Sequence, residues 1–195
     1  MATTLAVRDV DGAQFPTAGT WEADAVHSSV EFVVRHLMVA KVKGRFERFS
    51  ATLEVGDDPM QSKATASIEA ASISTREEPR DNHLKSADFL EVDKFATVDF
   101  KSTGFSHVSG PQWSLKGDLT IHGVTREVTL DTEFVGVIAD LWGGQRVGFS
   151  ATTEIDRETF GLTWNQALEA GGLLVGQQVK IEIEIEAVRK EPAVA

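Results

Sequence analysis

Along most of this chain apolar and polar residues alternate with a period of two, the spacing of strands that turn one face to a core. The last strand shows it most cleanly: Val179, Ile181, Ile183, Ile185 and Ala187 face one way, and Lys180, Glu182, Glu184 and Glu186 the other. Near the start, Trp21 opens a short strand over residues 20–23, and then Val30, Phe32 and Val34 oppose Glu31, Val33 and Arg35. A strand over residues 42–55 follows, with a bend expected at Gly44 near Phe46. Ala64, Ala66, Ile68 and Ala70 make a small-residue strand, and Ala96, Val98 and Phe100 resume the period. Leu115, Gly117, Leu119 and Ile121 lead to His122-Gly123, a hairpin turn after which Val128 and Leu130 continue the alternation. Residues 134–141 are apolar on both faces, and Val147, Phe149 and Ala151 form the next strand. Gly56-Asp57-Asp58-Pro59 and Ser109-Gly110-Pro111 read as turns. The loop from Thr163 to Gln178 holds Gly171, Gly172 and Gly176 among apolar Leu168, Leu173, Leu174 and Val175.

One stretch breaks the strand pattern. Residues 79–90, Pro-Arg-Asp-Asn-His-Leu-Lys-Ser-Ala-Asp-Phe-Leu, read as a short helix with Thr75 as N-cap, Glu77 and Glu78 at the positive end of the dipole and Pro79 in the first turn. Leu84, Ala87 and Leu90, with Phe89 at the edge, would form its apolar side. So short a helix needs tertiary packing, and its natural place is across the end of a sheet or barrel as a plug or lid.

The expected fold is therefore all-β: about eight antiparallel strands in an up-and-down barrel with a short helical insertion. A two-sheet sandwich is the competing architecture, which periodicity alone does not separate from a barrel. Small residues at the inward positions Ala64, Ala66, Gly117 and Ala151 favour a barrel with a cavity for one small ligand. The layout is a loose N-terminal arm over residues 1–18, with at most an edge contact, a barrel domain over 19–190 and a tail over 191–195.

Composition narrows the partners. At 195 residues, 42% hydrophobic and 25% charged, the chain can bury a sizeable core. A net charge of -11 argues against nucleic acid and against an anionic membrane surface as obvious partners. Without cysteine there are neither disulfides nor thiol chemistry. No apolar run reaches membrane-spanning length, and residues 1–19 show no signal-like basic and apolar regions, so a cytoplasmic location is expected.

Candidate chemistry is sparse. The five histidines lack ligand spacing, and no metal or cofactor is expected. His122 reads as a turn residue; His83, beside Asp81, can cap the helix or face a ligand. Asp24, His27, Ser28 and Ser29 are close in sequence but form no nucleophile elbow, and neighbours on a strand point to opposite faces. No catalytic residue is assigned.

Several stretches resemble the YceI-like family. Trp21-Glu22, His27 to Phe32 and Val42 to Phe46 look like its opening; Arg80 to Phe89 matches its helical signature. Gly117 to Thr125, Phe160-Gly161-Leu162-Thr163-Trp164-Asn165 and Val175 to Ala187 follow in the family's order, so the likeness covers residues 20–189. It implies a lipocalin-like barrel that binds long polyisoprenoid lipids or isoprenoid quinones in an apolar pocket, without catalysis. Many family members are secreted, and this chain departs from them in showing no signal.

On that reading the lipid would lie along the inward row: Val30, Phe32 and Val34; Ala66 and Ile68; Leu84 and Phe89; Val98 and Phe100; Leu119, Phe149 and Ile183. Most of these residues must also simply make the core. Trp164 and Asn165 would shape the mouth. Of the basic residues, Arg35, Arg80 and Lys85, with His83, are the head-group candidates, Arg45 and Arg76 having been weighed beside them. Two other classes stay open: an enzyme acting on a lipid-like substrate in the same pocket, told apart by turnover, and a fully packed stress-related interaction module, told apart by an empty organic extract. A homodimer is compatible with all three.

Overall fold

The structure is a computed structural model, and it describes residues 5–190 apart from 11, 38, 142–143 and 168–170. The outermost part of the expected arm, Leu168 of the glycine-rich loop and the tail over 191–195 lie outside the described residues. The described residues form thirteen strands: β1 (Val7–Val10), β2 (Ala13–Pro16), β3 (Gly19–Ala23), β4 (Ser29–His36), β5 (Ala40–Phe46), β6 (Phe49–Val55), β7 (Lys63–Glu69), β8 (Ile73–Ser74), β9 (Thr97–Ser109), β10 (Gln112–Ile121), β11 (Val124–Ala139), β12 (Gln145–Asp156) and β13 (Val175–Arg189).

Pairing reduces these to the expected eight. β3 and β4 both run against β13, β6 and β5 run against β3 and β4, and β7 and β8 run against β6 and β5. Each of these three couples is one barrel strand broken in the middle. β9 to β12 continue in antiparallel order, and β12 pairs with β13 from Arg146↔Val188 to Asp156↔Gln178, which closes the barrel. Closure excludes the sandwich, because every barrel strand has a partner on both sides. The break in the second barrel strand falls at Glu47 and Arg48 rather than at Gly44: the Glu47 N–H donates to the Ser72 carbonyl at 3.1 Å and the Arg48 N–H to Ser72 Oγ at 3.1 Å. His122 (φ 52°) and Gly123 (φ 73°) make the two-residue turn between β10 and β11, both in the left-handed region that such hairpins require.

Two sequence expectations need correction. Residues 7–16 are not a loose arm. β1 and β2 form a hairpin, and Phe15, fully buried, stacks on Trp113 with ring centroids 4.3 Å apart and meets Phe134 and Phe149. The hairpin is a plug: Phe15, with Ala6, Val7 and Val10, seats it against Trp21, Val147 and Ala187. The helix, α1 (Glu78–Lys85), is capped by Glu77, whose carboxylate accepts from the Arg80 N–H, and not by Thr75. Arg76 takes a φ of 62° and turns the chain, so Thr75 instead donates its N–H and hydroxyl to Asp81 Oδ1. The helix ends at Ser86, which leaves Ala87, Phe89 and Leu90 in the following turns.

Candidate functional site

The inward faces of the barrel strands enclose a cavity of about 300 Å³. That is at the lower end of the ligand-pocket range. The wall follows from alternation. On β13 it is Val175, Val179, Ile181, Ile183, Ile185 and Ala187, while the glutamates between them point outward. Opposite, β6 and β7 present Ala51, Ala64 and Ala66, whose small side chains leave the space that larger ones would fill. Gly44 and Gly117 do the reverse. A Cβ on Gly44 would stand 2.3 Å from Phe32 Cζ, and one on Gly117 would stand 2.3 Å from Phe100 Cζ, so each glycine is the seat of a cavity-wall aromatic ring.

The two ends differ. At one, the β1–β2 hairpin and the fully buried rings of Phe15, Trp21 and Trp113 seal the barrel. At the other lie α1, the turns through Leu90 and the loop after Phe160, with Leu84, Phe89, Leu90 and Leu162 in the cavity wall. The residues of the helical stretch are largely occupied with one another. Arg80 donates through Nε to Thr75 Oγ1 at 2.7 Å, and His83 Nε2 lies 2.9 Å from Asp88 Oδ2. The His83 ring stands edge-on to both Phe89 and Trp164, at 5.1 and 4.6 Å.

Of the residues expected along the ligand, the wall brings together Val30, Phe32, Val34, Ala66, Ile68, Leu84, Phe89, Val98, Phe100, Leu119, Phe149 and Ile183. Trp164 and Asn165 are not part of it. Trp164 packs behind His83, and Asn165 spends its amide on the loop, donating to the Val175 carbonyl at 2.7 Å and accepting from the Val175 N–H at 3.1 Å. Arg35, Arg80, His83 and Lys85 are likewise outside the wall, Arg35 because it sits on the outward face of β4.

Among the described residues the cation in the wall is Arg157, which sequence reasoning missed. Its side chain is 4% exposed; Nε donates to the Gly176 carbonyl at 2.9 Å and Nη1 to that of Leu162, and the nearest carboxylate oxygen, on Glu158, is 3.9 Å from Nη2. Burial pushes its guanidinium below the ordinary arginine value, opposed by the charges of Glu158 and Asp156. Asp156-Arg157-Glu158 reads in sequence as a solvated charge run, and only the turn after β12 rotates Arg157 inward.

One group with ligand spacing is assembled by the fold among the described residues. Asp24, His27 and Glu186 bring a ligand atom each within 4.8 Å of one another, the third from a strand remote in sequence. A cation of the protein's own already serves that position: Arg146 Nη1 donates to Asp24 Oδ2 at 2.8 Å and to Glu186 Oε1 at 2.5 Å. The Arg146 guanidinium, followed by His27, holds the Asp24 carboxyl well below the usual carboxylate range. Ser28 Oγ is held between the carbonyl and N–H of Glu186, at 3.2 and 3.0 Å.

Comparison with known proteins places this geometry. Residues 21–187 match the YceI-like domain. A UPF0312 protein of Staphylococcus aureus strain USA300 is 46% identical over 166 residues, 84% of this chain and 94% of that protein. Among solved structures, BcnA of Burkholderia cenocepacia superposes with a TM-score of 0.74 at 20% identity, over 84% of this chain and 98% of its own. A Campylobacter jejuni YceI protein gives 0.69 at 30% identity, over 80% and 90%. A polyisoprenoid binding domain from Saccharophagus degradans gives 0.64 at 15% identity, over 89% and 100%. The Burkholderia and Saccharophagus proteins share the fold with this chain.

Proposed function

The chain belongs to the YceI-like family, and from that premise we propose that it binds a long isoprenoid lipid, a polyprenyl chain or an isoprenoid quinone, in the barrel cavity and holds or carries it without chemistry. The observation that carries this reading is the cavity of about 300 Å³, walled almost throughout by Val, Ile, Leu, Phe and Ala side chains. The Saccharophagus neighbour, described as a polyisoprenoid binding domain, supports the ligand class through a shared fold.

Size and energy agree with a chain-like ligand. The cavity equals roughly ten water volumes at ~30 Å³ each, room for about as many methylene-sized groups. At ~0.8 kcal/mol per buried group, filling it returns about 8 kcal/mol before the cost of ordering the chain. A longer lipid then extends toward the α1 end, because the opposite end is closed by Phe15 and Trp113. Arg157 is the cation available to a polar head drawn inside, and the head-group role of Arg35, Arg80, His83 and Lys85 is confined to an oxygen held at the rim. Holding is favoured over reacting because the buried polar residues of the wall among the described residues are engaged with main-chain carbonyls, Arg157 with those of Leu162 and Gly176 and Thr132 with that of Leu130.

Organic extraction and mass spectrometry of the purified protein test this. The expected result is a co-purified isoprenoid, and uptake of a labelled prenyl lipid by protein stripped of it. A clean extract together with no uptake overturns the proposal, and turnover of a prenyl diphosphate would replace carriage with catalysis.

A further inference from the structure

The surface around the α1 end carries a feature that the cavity does not use. The β4–β5 hairpin projects at that end, and the described residues of its tip are Arg35, His36, Leu37, Val39, Ala40 and Lys41. Val39 is 81% exposed and Leu37 38%, large apolar side chains offered to solvent. The neighbouring loop adds Leu173, 37% exposed, and is tied to the tip by the Leu37 N–H donating to the Leu174 carbonyl at 2.9 Å.

Behind the tip the charge is reversed from that of the whole chain. Arg35 stands directly opposite Lys41 in the β4–β5 register, and Lys43 follows on the same outward face. Like charges set directly across a strand pair cost stability. A chain with 30 acidic and 19 basic residues nonetheless makes that pairing here. Arg35, Lys41 and Lys43 have no carboxylate within 4.0 Å among the described residues, whereas Arg45, Arg48 and Lys190 are matched to carboxylates at 2.7, 2.5 and 2.8 Å; Lys41 and Lys43 act on Glu182 only from further off, helping to lower its carboxyl.

We propose that the β4–β5 tip, with Leu173, docks this protein on an anionic bilayer surface, Leu37 and Val39 entering the headgroup layer and Arg35, Lys41 and Lys43 meeting the lipid charge. The site deepens the lipid-binding reading and rests on it for its purpose, since it sets the α1 end of the cavity against the lipid source. Charge complementarity selects the occupant. Apolar residues dipping a few ångströms below a basic rim suit the interface of a charged bilayer. A protein partner would be expected to meet aromatic anchors in packed pockets, and the apolar residues of the tip are aliphatic. The net charge of -11 works against an approach of the barrel as a whole, so only the basic tip can meet the lipid, in one orientation.

The test is co-sedimentation of the full chain with phosphatidylcholine vesicles, with and without phosphatidylglycerol, at low and high salt. The parent is expected to bind only the phosphatidylglycerol vesicles and to release in high salt. Lys41→Glu with Lys43→Glu should weaken partitioning by about fivefold or more for each cation lost. Val39→Asp, at a solvent-exposed position, should weaken it without unfolding the protein, and Lys101→Glu with Lys116→Glu on the far strands should behave as the parent. A parent that stays off phosphatidylglycerol vesicles, or tip variants that bind as well as the parent, overturns the proposal. So does a parent that loads lipid only from a donor protein, which would assign the tip to that protein. Uptake of a labelled prenyl lipid from detergent, with no bilayer present, is read in parallel: its failure removes the lipid-binding reading, whereas its success in variants that no longer bind vesicles separates docking from the cavity.

Discussion

At the scale of single residues, two positions carry more than their side chains indicate. Gly44 is conventional in its backbone, yet its missing Cβ is where the Phe32 ring lies, with Thr75 Cγ2 2.9 Å from the position a Cβ would take. Gly44→Ala therefore overpacks the wall and should lower the unfolding free energy by about 1–3 kcal/mol in denaturant titration. It should also weaken prenyl-lipid uptake, because the ring has to give way. Asp24 is the second. Its carboxyl is depressed in the folded state by Arg146 first and His27 second, from an ordinary 3.8. A depressed carboxyl contributes stability above the unfolded-state value and loses it as pH falls through the carboxylate range. Asp24→Asn should cost on the order of 1 kcal/mol near neutral pH after solvent screening. The difference between parent and variant should then shrink below about pH 4, as followed by thermal melts across pH; a constant difference would show that the ion pair is not its source.

Among the elements, the β1–β2 hairpin shows what periodicity does not report. Four-residue strands carry too few positions to display a period, and the largest side chain they bury is Phe15. Phe15→Ala should cost about 3–5 kcal/mol by opening a hole among Trp113, Phe134 and Phe149. Urea denaturation checks this, and a loss below 1 kcal/mol would mean the hairpin is the loose arm that its composition indicates. The long strands were legible because alternation repeats: the inward row of β13 contains each apolar residue expected of it. The helix was legible in place but not in detail. Pro79 and the acidic first turn locate it, whereas the choice of Glu77 over Thr75 as cap depends on the left-handed turn at Arg76, which no pattern announces. The placement of Asn165 was hidden for a similar reason, since its amide answers to Val175, ten residues away.

For the whole molecule, the question is whether the space in the barrel is the functional part. Ala66 faces Phe100 and Ala51 across its neighbouring strands and lines the cavity. Ala66→Trp should fill much of that space. The variant should fold, somewhat destabilised, and lose uptake of a labelled prenyl lipid; uptake equal to the parent's would show that the ligand lies elsewhere. The same experiment bears on the vesicle-docking surface, which lies outside the barrel and should be untouched by the substitution.

The sequence by itself determined the long strands, most of the turns between them and the inward rows, since each is written in residues at most a few positions apart, and the family, since its short motifs follow in order along the chain. Alternation is a local consequence of the extended backbone, and turn chemistry is a local consequence of glycine, asparagine-like and proline conformations. Only the tertiary structure decided that β12 and β13 close a barrel rather than flank a sandwich, that Phe15 seals one end, that Arg157 is the cation in the wall among the described residues and that Arg35 and Lys41 stand opposite each other. Those depend on which strand lies beside which and in what register. A pairing between residues more than a hundred positions apart, such as Asp24 with Arg146, is set by the cooperative packing of the whole sheet and leaves no local mark.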